Sequence, residues 1–337
     1  MKNILILGGC GFIGHNLALD LAGENYNITI VDSLQINNLY SLENNRDNLP
    51  NPELSKIIIE DRLSLLKKNK IKYIIQDLRD YHATSRIFTE VKPDIVIHLA
   101  AVSHANRSNK DPHTTFDHSL RTLENALDNS KDNVEKFIYF SSSMVYGNFK
   151  SKEVNEETPC DPLGIYAALK FSGEKIVKSY SQVFDLNYSI VRPSALYGER
   201  CISRRVGQIF IENALSDIEI RIDGDGEEKL DFTYINDLVQ GVKKIISTEK
   251  SRNQIFNLTF GSSRKINDML NILKENFKDL KVKYQPRDKL TPIRGTLNID
   301  KAKSLLGYEP AWSLDKGYPN YINWYKRIYK VYNEKNG

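Results

Sequence analysis

Apolar runs of strand length recur along the first half of this chain, with longer amphipathic stretches between them. That alternation constrains the fold more than any other feature. The runs cover residues 3–7, 27–31, 72–76, 94–98, 136–140 and 187–191, and most are continuously apolar, the mark of strands covered on both faces. Strands spaced by helix-length segments pair in parallel, so the expected class is α/β, a doubly wound parallel sheet with a smaller C-terminal α/β lobe. The sheet domain spans 1–192 and is rejoined by 236–260, where residues 254–258 return a strand; 193–235 and 261–337 build the lobe. A length of 337 residues suits this division. Residues 52–69 read as an extra surface helix, with Lys67, Lys68, Lys70 and Lys72 as its solvated end. GDGEE at 224–228 reads as a hairpin-like turn, and 318–332 as a helix packing its aromatics on the lobe.

Charge and composition narrow the function. Lys and Arg number 47 against 43 Asp and Glu, a net +4, far below what a nucleic-acid surface shows. No apolar run approaches the roughly 20 residues of a membrane span, and Met1-Lys2-Asn3 leads directly into a core strand, so a cytoplasmic protein is expected. Cys10, Cys160 and Cys201 lack C-x-x-C spacing, and the six histidines form no H-E-x-x-H pair; free thiols and no catalytic metal are expected.

The first run enters GGCGFIG, where Gly9, Gly11 and Gly14 match G-x-G-x-x-G and Gly8 adds a wider spacing. Glycines at a strand-to-helix turn let the backbone approach a pyrophosphate at a helix N-terminus. The motif follows a strand and opens the apolar-periodic helix 12–22, so Gly8, Gly11, Phe12, Ile13 and Gly14 are assigned to a dinucleotide. Asp32 ends the second run and can accept ribose hydroxyls. A 2′-phosphate would meet that carboxylate with no Arg or Lys directly after it, so NAD is expected rather than NADP. Asp77 and Leu78, after the third run, are placed against the adenine, and His98, Leu99, Ala100 and Ala101 against the nicotinamide, with His98 equally readable as a hydrogen-bonded core histidine.

Tyr166 and Lys170, in YAALK, share one face of a helix. A phenol with a pKa near 10 is a poor base unless a cation stabilises the phenolate, which the Lys170 ammonium can do. SSSMVYG at 141–147 ends the fifth run at the carboxyl edge of the sheet; Ser142 is the first choice for the substrate hydrogen bond and Ser143 the alternative.

These motifs, with HLAA, Arg192-Pro193 through Tyr197-Gly198, DFTYINDL at 231–238 and KAKSLLGYEP from Lys301, resemble the extended short-chain dehydrogenase/reductase family, especially its nucleotide-sugar epimerases and dehydratases. The resemblance implies a Rossmann-like fold, Tyr166, Lys170 and Ser142 as the catalytic set, NAD as cofactor, and a nucleoside-diphosphate sugar in the lobe. It also implies a homodimer built on the helix after Pro112 and the helix bearing Tyr166. SHANRS, with Ser103, resembles the 4,6-dehydratases, but those carry an Asp-Glu acid/base pair where this chain has Ser143-Met144, and the decarboxylases place Glu at the Met144 position. His118 stands where relatives usually have asparagine, and Leu230 where many have a phosphate-binding arginine. Arg204, Arg205, Arg287 and Arg294 are the candidates to hold the diphosphate instead.

The reading that follows is an NAD-dependent nucleotide-sugar 4-epimerase, in which hydride leaves C4 and returns to the other face. A 4-dehydrogenase or 4-keto-reductase differs in whether NADH departs; a dehydratase ranks third. A non-catalytic NAD-sensing protein has no need of Tyr166, Lys170 and Ser142 together.

Overall fold

The continuous apolar runs pair as expected in the computed structural model, which describes residues 1–45, 51–102, 105–287 and 291–336. In chain order the first elements are β1 (Lys2–Leu7), α1 (Phe12–Leu21), β2 (Tyr26–Asp32), α2 (Leu39–Asn45), α3 (Pro52–Lys68), β3 (Lys72–Ile75), α4 (Tyr81–Val91), β4 (Ile95–His98), α5 (Ala105–Lys110), α6 (Pro112–Phe116), a π turn (Asp117–Arg121), α7 (Thr122–Asp128) and β5 (Lys136–Phe140). A 3-10 turn (Ser143–Tyr146), β6 (Glu153–Val154), α8 (Ile165–Phe184), β7 (Tyr188–Arg192), β8 (Leu196–Tyr197), α9 (Val206–Leu215), β9 (Ile220–Asp223), β10 (Lys229–Leu230) and β11 (Thr233–Tyr234) follow. The chain ends with α10 (Ile235–Ser247), β12 (Gln254–Asn257), β13 (Arg264–Lys265), α11 (Ile266–Asn276), β14 (Val282–Gln285), β15 (Thr296–Leu297), α12 (Asp300–Leu306) and α13 (Leu314–Asn336).

Seven strands form one parallel sheet in the order β12-β7-β5-β4-β1-β2-β3. Side chains of β1 alternate between two cores: Ile4 and Ile6 pack on one face, Leu5 and Leu7 on the other. All the strands run the same way, so the loops after β1, β2, β4, β5 and β7 emerge at one edge. The order reverses between β1 and β4, the crevice where open α/β sheets bind ligands.

Helix α3 is where the sequence reading needs correction. Asn51 caps it by accepting from the Leu54 amide (3.0 Å), and Pro52 occupies its first turn, as the start signal indicates. It is not a surface helix: Leu54, Ile58, Ile59, Arg62 and Leu66 are buried, and it packs against α1 and α13. The GDGEE segment is a turn but not a hairpin. The strands flanking it choose different partners, β9 with β14 in parallel and β10 with β13 antiparallel. Further along, α13 packs its tyrosines inward; Tyr318 Oη donates to the Gly207 carbonyl (3.0 Å) and Tyr325 Oη to Glu212 (2.9 Å). Among the described residues, no helix is long and apolar enough to cross a membrane.

Candidate active site

The glycine turn after β1 is shaped by what a side chain would strike. A Cβ on Gly8, whose φ is +80°, would lie 2.7 Å from the Ala100 nitrogen, and one on Gly14 would lie 2.4 Å from the Gly9 Cα. The loop therefore closes against the 99–101 segment and α1 begins directly on top of it, with Gly11 at its N-cap. First-turn amides and the helix dipole face the crevice, a setting that fits a pyrophosphate. Asp32 closes β2 there; its carboxylate accepts from the Cys10 amide (3.0 Å) and the Leu34 amide (2.7 Å), which fixes its orientation. Burial pushes its pKa up while those two bonds oppose the shift.

The chemical groups come from β5 and α8. Ser142, two residues past the end of β5, is extended and caps the 3-10 turn by accepting from the Met144 amide (3.2 Å). Tyr166 and Lys170 lie one turn apart on α8, and Tyr166 and Ser142 line the same cavity, near enough for the Ser142 hydroxyl to favour the phenolate. Lys170 Nζ donates to the Phe140 carbonyl (2.8 Å) and lies over the Tyr139 ring. Burial brings the Lys170 pKa down to about 8, opposed by Glu174. Burial raises that of Tyr166, and the charge opposing this rise is Arg205, followed by the nearby Ser142 hydroxyl. Arg205 as a partner of the phenol was not read from the sequence.

Beneath this layer, Glu174 accepts from Ser141 Oγ (2.5 Å) and from Arg192 Nε (2.9 Å) and Nη2 (2.7 Å), all buried. The pair ties α8 to β7 and holds the strand end that presents Ser142.

One cavity runs from the glycine turn to the C-terminal lobe. It brings together Gly8, Gly11, Phe12, Ile13, Gly14, Asp32, Asp77, Leu78, Leu99, Ala100, Ala101, Ser142, Ser143, Tyr166, Lys170, Arg205 and Arg294. Asp77 is held there by Arg79 (2.6 Å), which also reaches Asp117 (3.2 Å). Arg294 is driven down to about 10 by burial, and its Nε has no hydrogen-bond partner.

Other expected residues lie elsewhere. Arg204 does not line the cavity; its φ of +50° turns the chain, and its guanidinium pairs with Glu212 (3.6 Å). Arg287 is also outside, bound to Glu228 and donating to the Thr291 carbonyl (2.9 Å), so it braces the segment that carries Arg294. His98 is buried behind the wall formed by Leu99 to Ala101, stacked on Phe137, because its side chain points to the other face of the sheet edge. Ser103 lies outside the described residues. The lining residues without an assigned role include His118, in the π turn, and Arg62, on α3.

The model of the NAD dependent epimerase/dehydratase family matches residues 4–259. The chain belongs to that family. It is 30% identical to a UDP-glucuronate 4-epimerase of Thermodesulfobacterium geofontis, over 97% of each chain. Among solved structures, a UDP-glucuronic acid 4-epimerase from Bacillus cereus in complex with UDP-glucuronic acid and NAD is 26% identical with a TM-score of 0.87, covering 97% of this chain and 100% of that one. A UDP-glucose 4-epimerase from Thermotoga maritima with UDP-glucose is 27% identical with a TM-score of 0.85, covering 97% and 99%. The glycine turn, Asp32, Tyr166 and Ser142 all line this one cavity.

Proposed function

We propose that this protein is an NAD-dependent nucleotide-sugar 4-epimerase working on a UDP-sugar. The observation that carries the reading is that Tyr166 and Ser142 line one cavity in which the places of the dehydratases' Asp-Glu pair are held by Ser143 and Met144. Elimination of water from C5–C6 needs a second proton donor and base at that place, and methionine supplies neither. Epimerisation at C4 needs a single acid/base, which Tyr166 provides.

Bound NAD supplies the redox partner for the C4 carbon. Tyr166 takes the C4 hydroxyl proton and returns it, Ser142 hydrogen-bonds the C4 oxygen and fixes its approach, and Lys170 and Arg205 favour the phenolate. Arg294, with Arg205, meets the diphosphate, replacing the arginine absent at Leu230; guanidinium forks match phosphate oxygens. The turnover of UDP-glucuronate and UDP-glucose by similar proteins supports a UDP-sugar. In this reading the enzyme is a cytoplasmic homodimer. Exposed Phe116 on α6 and Val183 and Phe184 on α8 support the dimer, which light scattering tests.

The deciding experiment incubates the protein with UDP-, GDP-, CDP- and dTDP-sugars without added cofactor. A C4 epimer seen by NMR without NADH build-up supports the proposal. Accumulated NADH makes the enzyme a dehydrogenase, and a 4-keto-6-deoxy sugar makes it a dehydratase.

A further inference from the structure

Helix α3 carries a cation into the cofactor end of the cavity. Arg62 is fully buried and lines that end beside Asp32, Ser33 and Asn37. Its Nε donates to the Arg200 carbonyl (2.9 Å), Nη2 to the same oxygen, and Nη1 to the Asn37 carbonyl (3.4 Å). A guanidinium has five N–H donors, so these bonds leave two unused. Among the described residues no carboxylate lies within ion-pair distance of Arg62. The adjacent Asp61 is taken by Arg200 Nε (2.6 Å), and Asp32, near enough to act on the charge of Arg62, accepts from the Cys10 and Leu34 amides and makes no hydrogen bond with the guanidinium. A buried cation that faces a cavity without a paired carboxylate is a place for an anion.

We propose that Arg62 is a phosphate ligand of the dinucleotide, supplied by α3 from outside the glycine turn. The turn offers backbone amides only; Arg62 adds a full charge that remains protonated at neutral pH, since burial lowers its pKa only to about 10. The same guanidinium holds the segment leading to the sugar end. Arg200 sits in the left-handed region (φ +66°), with its carbonyl gripped by Arg62 and its side chain by Asp61. Five residues later the chain presents Arg205 to Tyr166. The anion that completes Arg62 therefore also steadies the segment bearing Arg205. The proposal rests on the dinucleotide site and is independent of which sugar is turned over.

The test is calorimetric binding to the full chain, with adenosine, 5′-ADP and 2′-AMP as ligands. Arg62→Gln keeps an amide donor for the Arg200 carbonyl and removes the charge; Arg62→Lys keeps the charge. The Gln variant is expected to bind ADP about tenfold to a hundredfold more weakly and adenosine unchanged, with the Lys variant recovering most of the loss. A selective loss for 2′-AMP in place of ADP overturns the proposal, because NAD carries no 2′-phosphate. Equal loss for adenosine and ADP, or no loss at all, overturns the proposal. If the Gln variant does not fold, Arg62→Met takes its place with the same reading: ADP weakened with adenosine unchanged supports the role, and equal loss or no loss removes it. Because the readout is binding, it stands whether or not the C4 epimer is found.

Discussion

Tyr166 works in a setting made by several side chains, and each contributes a separable effect. Tyr166→Phe should lower kcat by about 10²–10⁴-fold while bound NAD is retained, measured by turnover and by nucleotide released on denaturation; unchanged turnover would remove Tyr166 as the base. Arg205 opposes the burial that raises the phenol's pKa, so Arg205→Met should move the phenol's limb of the pH–rate profile to higher pH, and Arg205→Lys should restore it. His98 makes a prediction about stability. Burial lowers its pKa from 6.5 to about 3, so the neutral ring's contribution is fully present above pH 6.5 and is lost as pH falls through that window toward 3. His98→Gln should flatten the acid limb of the melting curve by up to about 1.4 kcal/mol per pH unit. At this scale the sequence was legible in bringing Gly14 and Tyr166 to one cavity. It was not where neighbours of the same type part company. Arg204 and Arg205 are indistinguishable as letters, and only the left-handed turn at Arg204 sends one to Glu212 and the other to the cavity.

The elements hold these groups by a few buried joints. Glu174 on α8 neutralises Arg192 at the end of β7 and also anchors Ser141, the neighbour of Ser142. Glu174→Gln leaves a buried guanidinium without its counter-charge. We expect a loss of about 3–5 kcal/mol in denaturant melts, with kcat falling in the surviving folded fraction as the strand end loosens. Gly14→Ala would place its Cβ 2.4 Å from the Gly9 Cα, so α1 must lift off the turn and NAD should no longer copurify. The six strands read from the sequence lie within a residue or two of their runs because continuous apolar segments leave little choice of register. The two-residue ladders β6, β8, β10, β11, β13 and β15 left no such trace, since two residues carry no period. Helix α3 was legible as a helix from Asn51 and Pro52, but its buried face was not, because a charge such as Arg62 on an amphipathic helix is assigned to solvent by default.

Across the whole molecule, one cavity holds a buried cation, Arg62, beside Asp32 and a half-buried one, Arg294, from the lobe, and Tyr166 lines the same cavity. The sheet that carries this cavity is closed at one side by β12, which reaches β7 only after β8 to α10 have been built. Lys136 on β5 reinforces that late joint by donating to the Ile245 carbonyl (2.8 Å) and the Thr248 carbonyl (3.2 Å) at the end of α10. The dependence sets an order of assembly. A ribosome that has released the glycine turn, Ser142, Tyr166 and Lys170 has made every reacting group, yet β7 still presents a bare parallel edge until residue 257 emerges. The nascent chain is therefore most exposed to off-pathway strand pairing after its chemistry has been encoded and before its lobe has been delivered.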